Sequence, residues 1–174
     1  MVRSARPIED LLPLASGYIL GIDVKIVDRM IIYLDSCSYN RPYDDQTQLR
    51  VYLEARSKMK IQQEIIEGKH KLVTSIILDY ENSRNRDETS AFQIQEFMDK
   101  NSCRYVDVEE FKTVIPLRDE IMSHGIKTVD ASHLACAICS GCEYFITTDD
   151  RILKFKDERV NVISPVGFIS LEEE

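Results

Sequence analysis

Met30-Ile31-Ile32-Tyr33-Leu34-Asp35 is an apolar, β-rich run that ends on a carboxylate. An unbroken apolar stretch of this length reads as a buried strand rather than a half-exposed one. An aspartate where such a strand ends lies in the usual ligand crevice of an open α/β sheet. Three more acids stand in comparable places. Glu81 follows Ser75-Ile76-Ile77-Leu78-Asp79-Tyr80, Asp130 sits in Thr128-Val129-Asp130-Ala131-Ser132-His133, and Asp149 follows Phe145-Ile146-Thr147-Thr148. Four carboxylates converging on one crevice repel one another unless a divalent cation offsets them. The pattern therefore predicts a site for Mg2+ or Mn2+, and a hard cation held by carboxylates commonly serves phosphate chemistry.

Outward from this strand, helical and strand patterns alternate. A long amphipathic helix is expected over about residues 47–67, with Leu49, Tyr52, Leu53, Arg56, Met59, Lys60 and Gln63 at helical spacing and Gly68 as its stop. A strand over 71–74 leads to a helix through Glu81 for which Ser75 resembles an N-cap. Further helices are expected over 88–100, over 129–139 behind Thr128, and in a segment ending near His124-Gly125 with Pro116 in its first turn. Strands are expected over 104–108, 143–147 and 160–163, a short helix over 150–154, and a closing helical turn over 166–171. No helix is expected to begin directly after Asp35. Strands separated by helices predict an α/β fold with a mainly parallel sheet covered on both faces.

Residues 1–29 read differently, as an N-terminal extension. The run from Leu11 to Leu20 weakly imitates a signal peptide, but Glu9, Asp10 and Pro13 interrupt it. Met30 as a natural start is the leading expectation, and a packed accessory helix is the alternative. Residues 30–174 are expected to form a single domain.

The chain has 174 residues, 44% hydrophobic and 30% charged, which fits a globular protein with a real core. No apolar run approaches the roughly 20 residues that span a bilayer. The net charge of −8 argues against a strong nonspecific grip on nucleic acid. The acidity is uneven, however: residues 41–86 carry a net +2 and residues 87–174 a net −9. No glycine-rich dinucleotide fingerprint or P-loop occurs.

The five cysteines are Cys37, Cys103, Cys136, Cys139 and Cys142, an odd number that suggests reduced thiols in the cytoplasm. The spacing of the last three resembles part of an iron–sulfur run, but it lacks a fourth cysteine and lies in a helical pattern where cysteine packs as a small apolar residue. An aspartyl phosphatase centred on Asp35 generally needs a second acid two residues on, where Cys37 stands. His133, three residues after Asp130, is read as supporting or packing, His124 as suited to a helix C-terminus, and His70 as solvated.

Each acid also has a structural excuse. Asp130 in a first helical turn complements the macrodipole. Asp149 suits a helix cap and has Asp150 as its competitor. Glu81 has Asp79 as its rival, and a helix turns only one of the two toward the site.

Order and local context together carry more. Ile32-Tyr33-Leu34-Asp35-Ser36-Cys37, Leu72-Val73-Thr74-Ser75-Ile76-Ile77-Leu78-Asp79-Tyr80-Glu81, Asp130-Ala131-Ser132-His133-Leu134-Ala135-Cys136-Ala137 and Phe145-Ile146-Thr147-Thr148-Asp149-Asp150 resemble, in this order, the motifs of the PIN-domain family of metal-dependent ribonucleases. Many members of that family are toxins of toxin–antitoxin pairs. The resemblance implies a three-layer α/β/α sandwich and places the acidic metal site on Asp35, Glu81, Asp130 and Asp149. Ser36, Thr147, Asp150 and His133 would support it. Asp35 and Asp149 would be direct ligands, with Glu81 and Asp130 binding a second metal, holding ligand waters or orienting the nucleophile. Single-stranded RNA is the expected substrate; Arg41 could reach a phosphate or form a structural salt bridge, and Tyr39 and Tyr43 could stack on the strand or serve as core or surface residues. A cognate antitoxin and a homodimer are the implied partners. The alternative is a PIN-like RNA- or protein-binding module with little catalysis.

Overall fold

The structure, a computed structural model, describes residues 29–171. Its five strands are β1 (Ile31–Leu34), β2 (Lys71–Ser75), β3 (Ser102–Val106), β4 (Tyr144–Ile146) and β5 (Asn161–Ile163). They form one sheet in the order β3-β2-β1-β4-β5, with every pairing parallel. The helices are α1 (Ser36–Asn40), α2 (Leu49–Ile66), α3 (Ile76–Asn82), α4 (Glu88–Asn101), α5 (Val108–Ser123), α6 (Thr128–Cys139) and α7 (Pro165–Leu171). Single 3-10 turns occur at Arg41–Tyr43 and Ile152–Lys154. The extension expected over residues 1–29 lies, but for Arg29, outside the described residues, as does the tail 172–174.

Ile32, Tyr33 and Leu34 are each 0% exposed. Successive strand side chains point to opposite faces, so β1 is covered on both. The expected α/β/α sandwich with a parallel sheet is therefore present. The chain moves outward from β1 through β2 to β3, then returns to place β4 on the other side of β1. The order reverses between β1 and β4, and there the carboxyl ends of the strands part to open a crevice. Asp35 ends β1 on one side of this switch point and Thr147-Thr148-Asp149 follows β4 on the other.

The structure departs from the sequence pattern in several places. A helix does begin directly after Asp35, because the Asp35 carboxylate caps it by accepting from Ser36 N at 2.8 Å. Pro116 lies inside α5 rather than in its first turn, since Asp107 caps the helix nine residues upstream by accepting from Glu110 N at 2.8 Å. β3 begins two residues earlier than expected. His70 is buried, not solvated, and packs edge-on to Phe168 with ring centroids 5.3 Å apart. Tyr39 is buried as well and cannot stack on a strand of RNA.

The largest departure is the facing of α2. Leu49, Tyr52, Leu53, Met59 and Ile66 form its exposed side. Its inward side holds Glu54, Ala55, Lys58, Ile61, Glu64 and Ile65. Two of the buried charges have local partners. Arg50 Nε donates to Glu54 at 2.8 Å, and Lys69 Nζ donates to Glu64 at 3.0 Å. Lys58 has an aromatic face instead, with Nζ 5.5 Å from the centroid of the Tyr39 ring. Burial pushes its amine down to about 7.

An amine that titrates near 7 in the fold and near 10.5 in the open chain leaves the unfolded state holding the extra proton between those pH values. Stability then rises with pH across that window. Lys58→Met should be more stable than wild type at pH 7 by about 1–3 kcal/mol. That advantage should shrink toward pH 10 when both proteins are unfolded by denaturant.

Candidate metal centre

Asp35 is 5% exposed and tied down from three directions. Ser36 N donates to Oδ1 at 2.8 Å, Thr147 Oγ1 donates to Oδ2 at 2.7 Å, and Cys37 Sγ lies 3.0 Å from Oδ2. Burial and the Asp35 carboxylate push the Cys37 thiol up to about 12, so it stays a donor. Thr147 works on both sides of the crevice, because its hydroxyl also accepts from Asp149 N at 3.1 Å. It is fully buried at the end of β4, where only a small side chain with a hydroxyl can both pack and bond.

Glu81 reaches the same place from the last turn of α3. His133, on α6, is 0% exposed and its Nε2 lies 2.7 Å from Glu81 Oε2. Burial alone would push the Glu81 carboxyl up. The hydrogen bond and electrostatic pull of His133, with the Ser36 hydroxyl, outweigh it and hold the group below the usual glutamate value. Asp35, Glu81 and His133 each offer a ligand atom within 4.8 Å of the others. Two ligands on opposite sides of a Mg2+ ion are about 4 Å apart, so the spread of the set is close to what one ion requires. Two carboxylates and an imidazole are a donor set that suits Mn2+ and related divalent ions.

Asp130 stands in the first turn of α6. Burial and the negative charges of Asp35 and Asp149 raise its carboxyl above the usual value, against the pull of Arg151 and His133. That mutual influence puts three of the four expected aspartate and glutamate carboxylates in one electrostatic field. Asp149 is held low, chiefly by Arg151, whose Nε donates to Oδ1 at 3.0 Å and whose backbone N donates to the same atom at 2.8 Å.

The other expected residues are placed elsewhere. Asp150 is exposed and faces away, accepting from Arg50 Nη2 at 2.6 Å and Nη1 at 2.9 Å. Arg41 is engaged by Asp44 at 3.0 Å, and its Nε lies 2.9 Å from the buried Glu54 carboxylate as an ion pair without hydrogen-bond alignment. Asp79, the rival of Glu81, accepts from Tyr105 OH at 2.6 Å and Gln95 Nε2 at 3.1 Å and takes no part in the cluster. The sequence pattern did not single out Arg151 or Tyr33. Arg151 had a signal in its spacing, two residues after an aspartate in a turn. Tyr33 read as one more buried strand residue.

The cysteines are all free thiols, with Cys136 and Cys142 buried and Cys139 exposed. Two clefts lie away from the acids, one along β5 lined by Tyr144, Phe155 and Val160 and one beside β3 lined by Asp79, Asp99 and Tyr105.

No family model matches the chain, and no curated protein does. Among solved structures, the crystal structure of VapBC2 from Rickettsia felis bound to a DNA fragment from their promoter is similar at 14% identity and a TM-score of 0.49. The match covers 78% of this chain and 98% of that one. An overlay this loose carries no argument about the site, whose chemistry rests on its own residues.

A cation that binds the fold and not the open chain stabilises it by about 2.7 kcal/mol at a hundred times its Kd. Millimolar Mn2+ should therefore raise the melting temperature of the wild type by several degrees. Asp35→Asn should abolish the shift, as read by differential scanning fluorimetry. A wild-type melting temperature that ignores the ion would remove the metal centre.

Proposed function

We propose that the chain is a Mg2+- or Mn2+-dependent endoribonuclease that hydrolyses phosphodiester bonds of single-stranded RNA, with residues 30–174 as one PIN-like nuclease domain. The observation that carries this reading is the convergence of Asp35, Glu81 and His133 within 4.8 Å at the sheet's switch point. The four acids of the motif resemblance are its second support.

A divalent cation in such a site offsets the charge that a phosphodiester develops and lowers the pKa of a bound water. The chain's own residues do the rest by position. Thr147 and the Ser36 amide fix the Asp35 carboxylate, and His133 fixes Glu81. Asp130 and Asp149 extend the acidic rim on which ligand waters or a second ion would be held. Arg151, with more than half of its side chain exposed at that rim, offers a guanidinium to a phosphate. Hydrolysis adds water across one P–O bond, leaving the phosphate on one RNA fragment and a hydroxyl on the other.

The biological side of the proposal is a cytoplasmic toxin held in check by a cognate antitoxin and working as a homodimer. It rests on the motif resemblance alone. Among the described residues no helix is long and apolar enough to cross a membrane.

Labelled single-stranded RNA incubated with purified protein and Mn2+ should be cut, and chelation of the ion should stop the cutting. Asp35→Asn should slow it by at least about a hundredfold. Equal cleavage by wild type and variant would assign the activity to another site or a contaminant.

A further inference from the structure

Three polar side chains lie at 0% exposure inside the core beside the metal centre: Tyr33, Ser75 and His133. They form one line of contacts. Ser75 Oγ is 2.7 Å from Tyr33 OH, and Tyr33 OH is 2.7 Å from His133 Nδ1. His133 Nε2 in turn is 2.7 Å from Glu81 Oε2. At the far end the buried Cys136 thiol lies near enough to Ser75 to feel its hydroxyl. Phe145 stacks on the Tyr33 ring at 5.5 Å and 11°, which fixes the phenol in place.

We infer that His133 Nε2 is a direct ligand of the ion at this centre, beside Asp35 and Glu81, and that Tyr33 and Ser75 hold the imidazole in the tautomer that makes it one. The inference rests on the metal-dependent nuclease reading and specifies how that site chooses its ion.

A neutral imidazole carries one N–H. With the hydrogen on Nε2, the ring donates to Glu81, Tyr33 donates to Nδ1, and Ser75 donates to Tyr33. With the hydrogen on Nδ1, the ring donates to the Tyr33 oxygen and Tyr33 donates to Ser75. The Nε2 lone pair then faces the Asp35 and Glu81 carboxylates. Hydroxyls both donate and accept, so the line from Ser75 through Tyr33 to His133 reverses without displacing a heavy atom. Metal-bound histidines are generally held this way, by a hydrogen bond from the ring nitrogen that does not touch the ion.

A buried histidine that only packs also needs partners for its ring nitrogens, but it does not need a ligand atom within 4.8 Å of two carboxylates. A histidine that only orients Glu81 would leave an all-oxygen site. One nitrogen donor shifts preference toward transition-metal ions over Mg2+. The imidazole therefore sets ion selectivity, while the carboxylates set charge.

Pulsed EPR of the full chain with one equivalent of Mn2+ should show the 14N coupling of a bound imidazole. In His133→Gln, whose Oε1 reaches about as far as Nε2 and so offers an oxygen donor there, the coupling should vanish and the ratio of Mn2+ to Mg2+ affinity should fall several-fold by titration calorimetry. Tyr33→Phe should retain the coupling and weaken Mn2+ binding by about 10–100-fold. Bound Mn2+ without nitrogen coupling in the wild type overturns the inference, as does coupling that survives in His133→Gln. RNA cleavage lost in Asp35→Asn would in either case leave the nuclease reading standing. Failure of the wild type to bind Mn2+ at all overturns both.

Discussion

The carboxylate of Asp35 joins three elements at one point. It ends β1, caps α1 through Ser36 N, and receives the Thr147 hydroxyl from the end of β4. The Asp35 backbone N also donates to Ile146 O at 2.9 Å, so the same residue continues the parallel ladder. A carboxylate buried at 5% exposure costs free energy unless it is hydrogen-bonded, and these contacts meet that cost. Its position follows from the reversal of strand order between β1 and β4. The acids that gather around it do so because helices α3 and α6 begin from or pass over the same edge of the sheet.

Crowding of like charge is the second consequence. Asp130 is raised by burial and by Asp35 and Asp149, while Asp149 is held low by Arg151 and Glu81 by His133. The protein thus meets three of the four carboxylates with compensation of their own: a hydroxyl, a thiol and an amide at Asp35, an imidazole at Glu81, a guanidinium at Asp149. A divalent ion would compete with or join each of these. The imidazole differs from the other two in being able to change from donor to ligand, since Tyr33 and Ser75 satisfy it in either form.

Polar burial extends beyond the site. The inward face of α2 carries Glu54, Lys58 and Glu64 beside Ala55, Ile61 and Ile65, while Leu49, Tyr52, Leu53 and Met59 point outward. A hydrophobic row at helical spacing says that a helix has two faces; it does not say which face the sheet takes. On α6 the question does not arise, because Ala131 through Ala137 are all buried and the small residues Ala, Ser and Cys let neighbours approach from every side.

Much of the architecture was legible in local pattern. Apolar runs of β-branched and aromatic residues marked β1, β2 and β4, and alternation with helices implied a parallel sheet covered on both faces. Asp35 at the end of β1 and Thr147-Thr148-Asp149 after β4 were recognisable as crevice residues because strand ends are sequence-local. The preference for Glu81 over Asp79 rested on motif position, and the fold turns Glu81 inward while Tyr105 and Gln95 take Asp79. Tertiary packing alone decided the rest: that α2 buries Glu54, Lys58 and Glu64, that Asp150 turns to Arg50, that Arg41 serves Glu54, and that His133 meets Glu81 across 52 residues of chain. Each of these depends on contacts between residues distant in sequence, and no periodicity or spacing along the chain encodes such a contact.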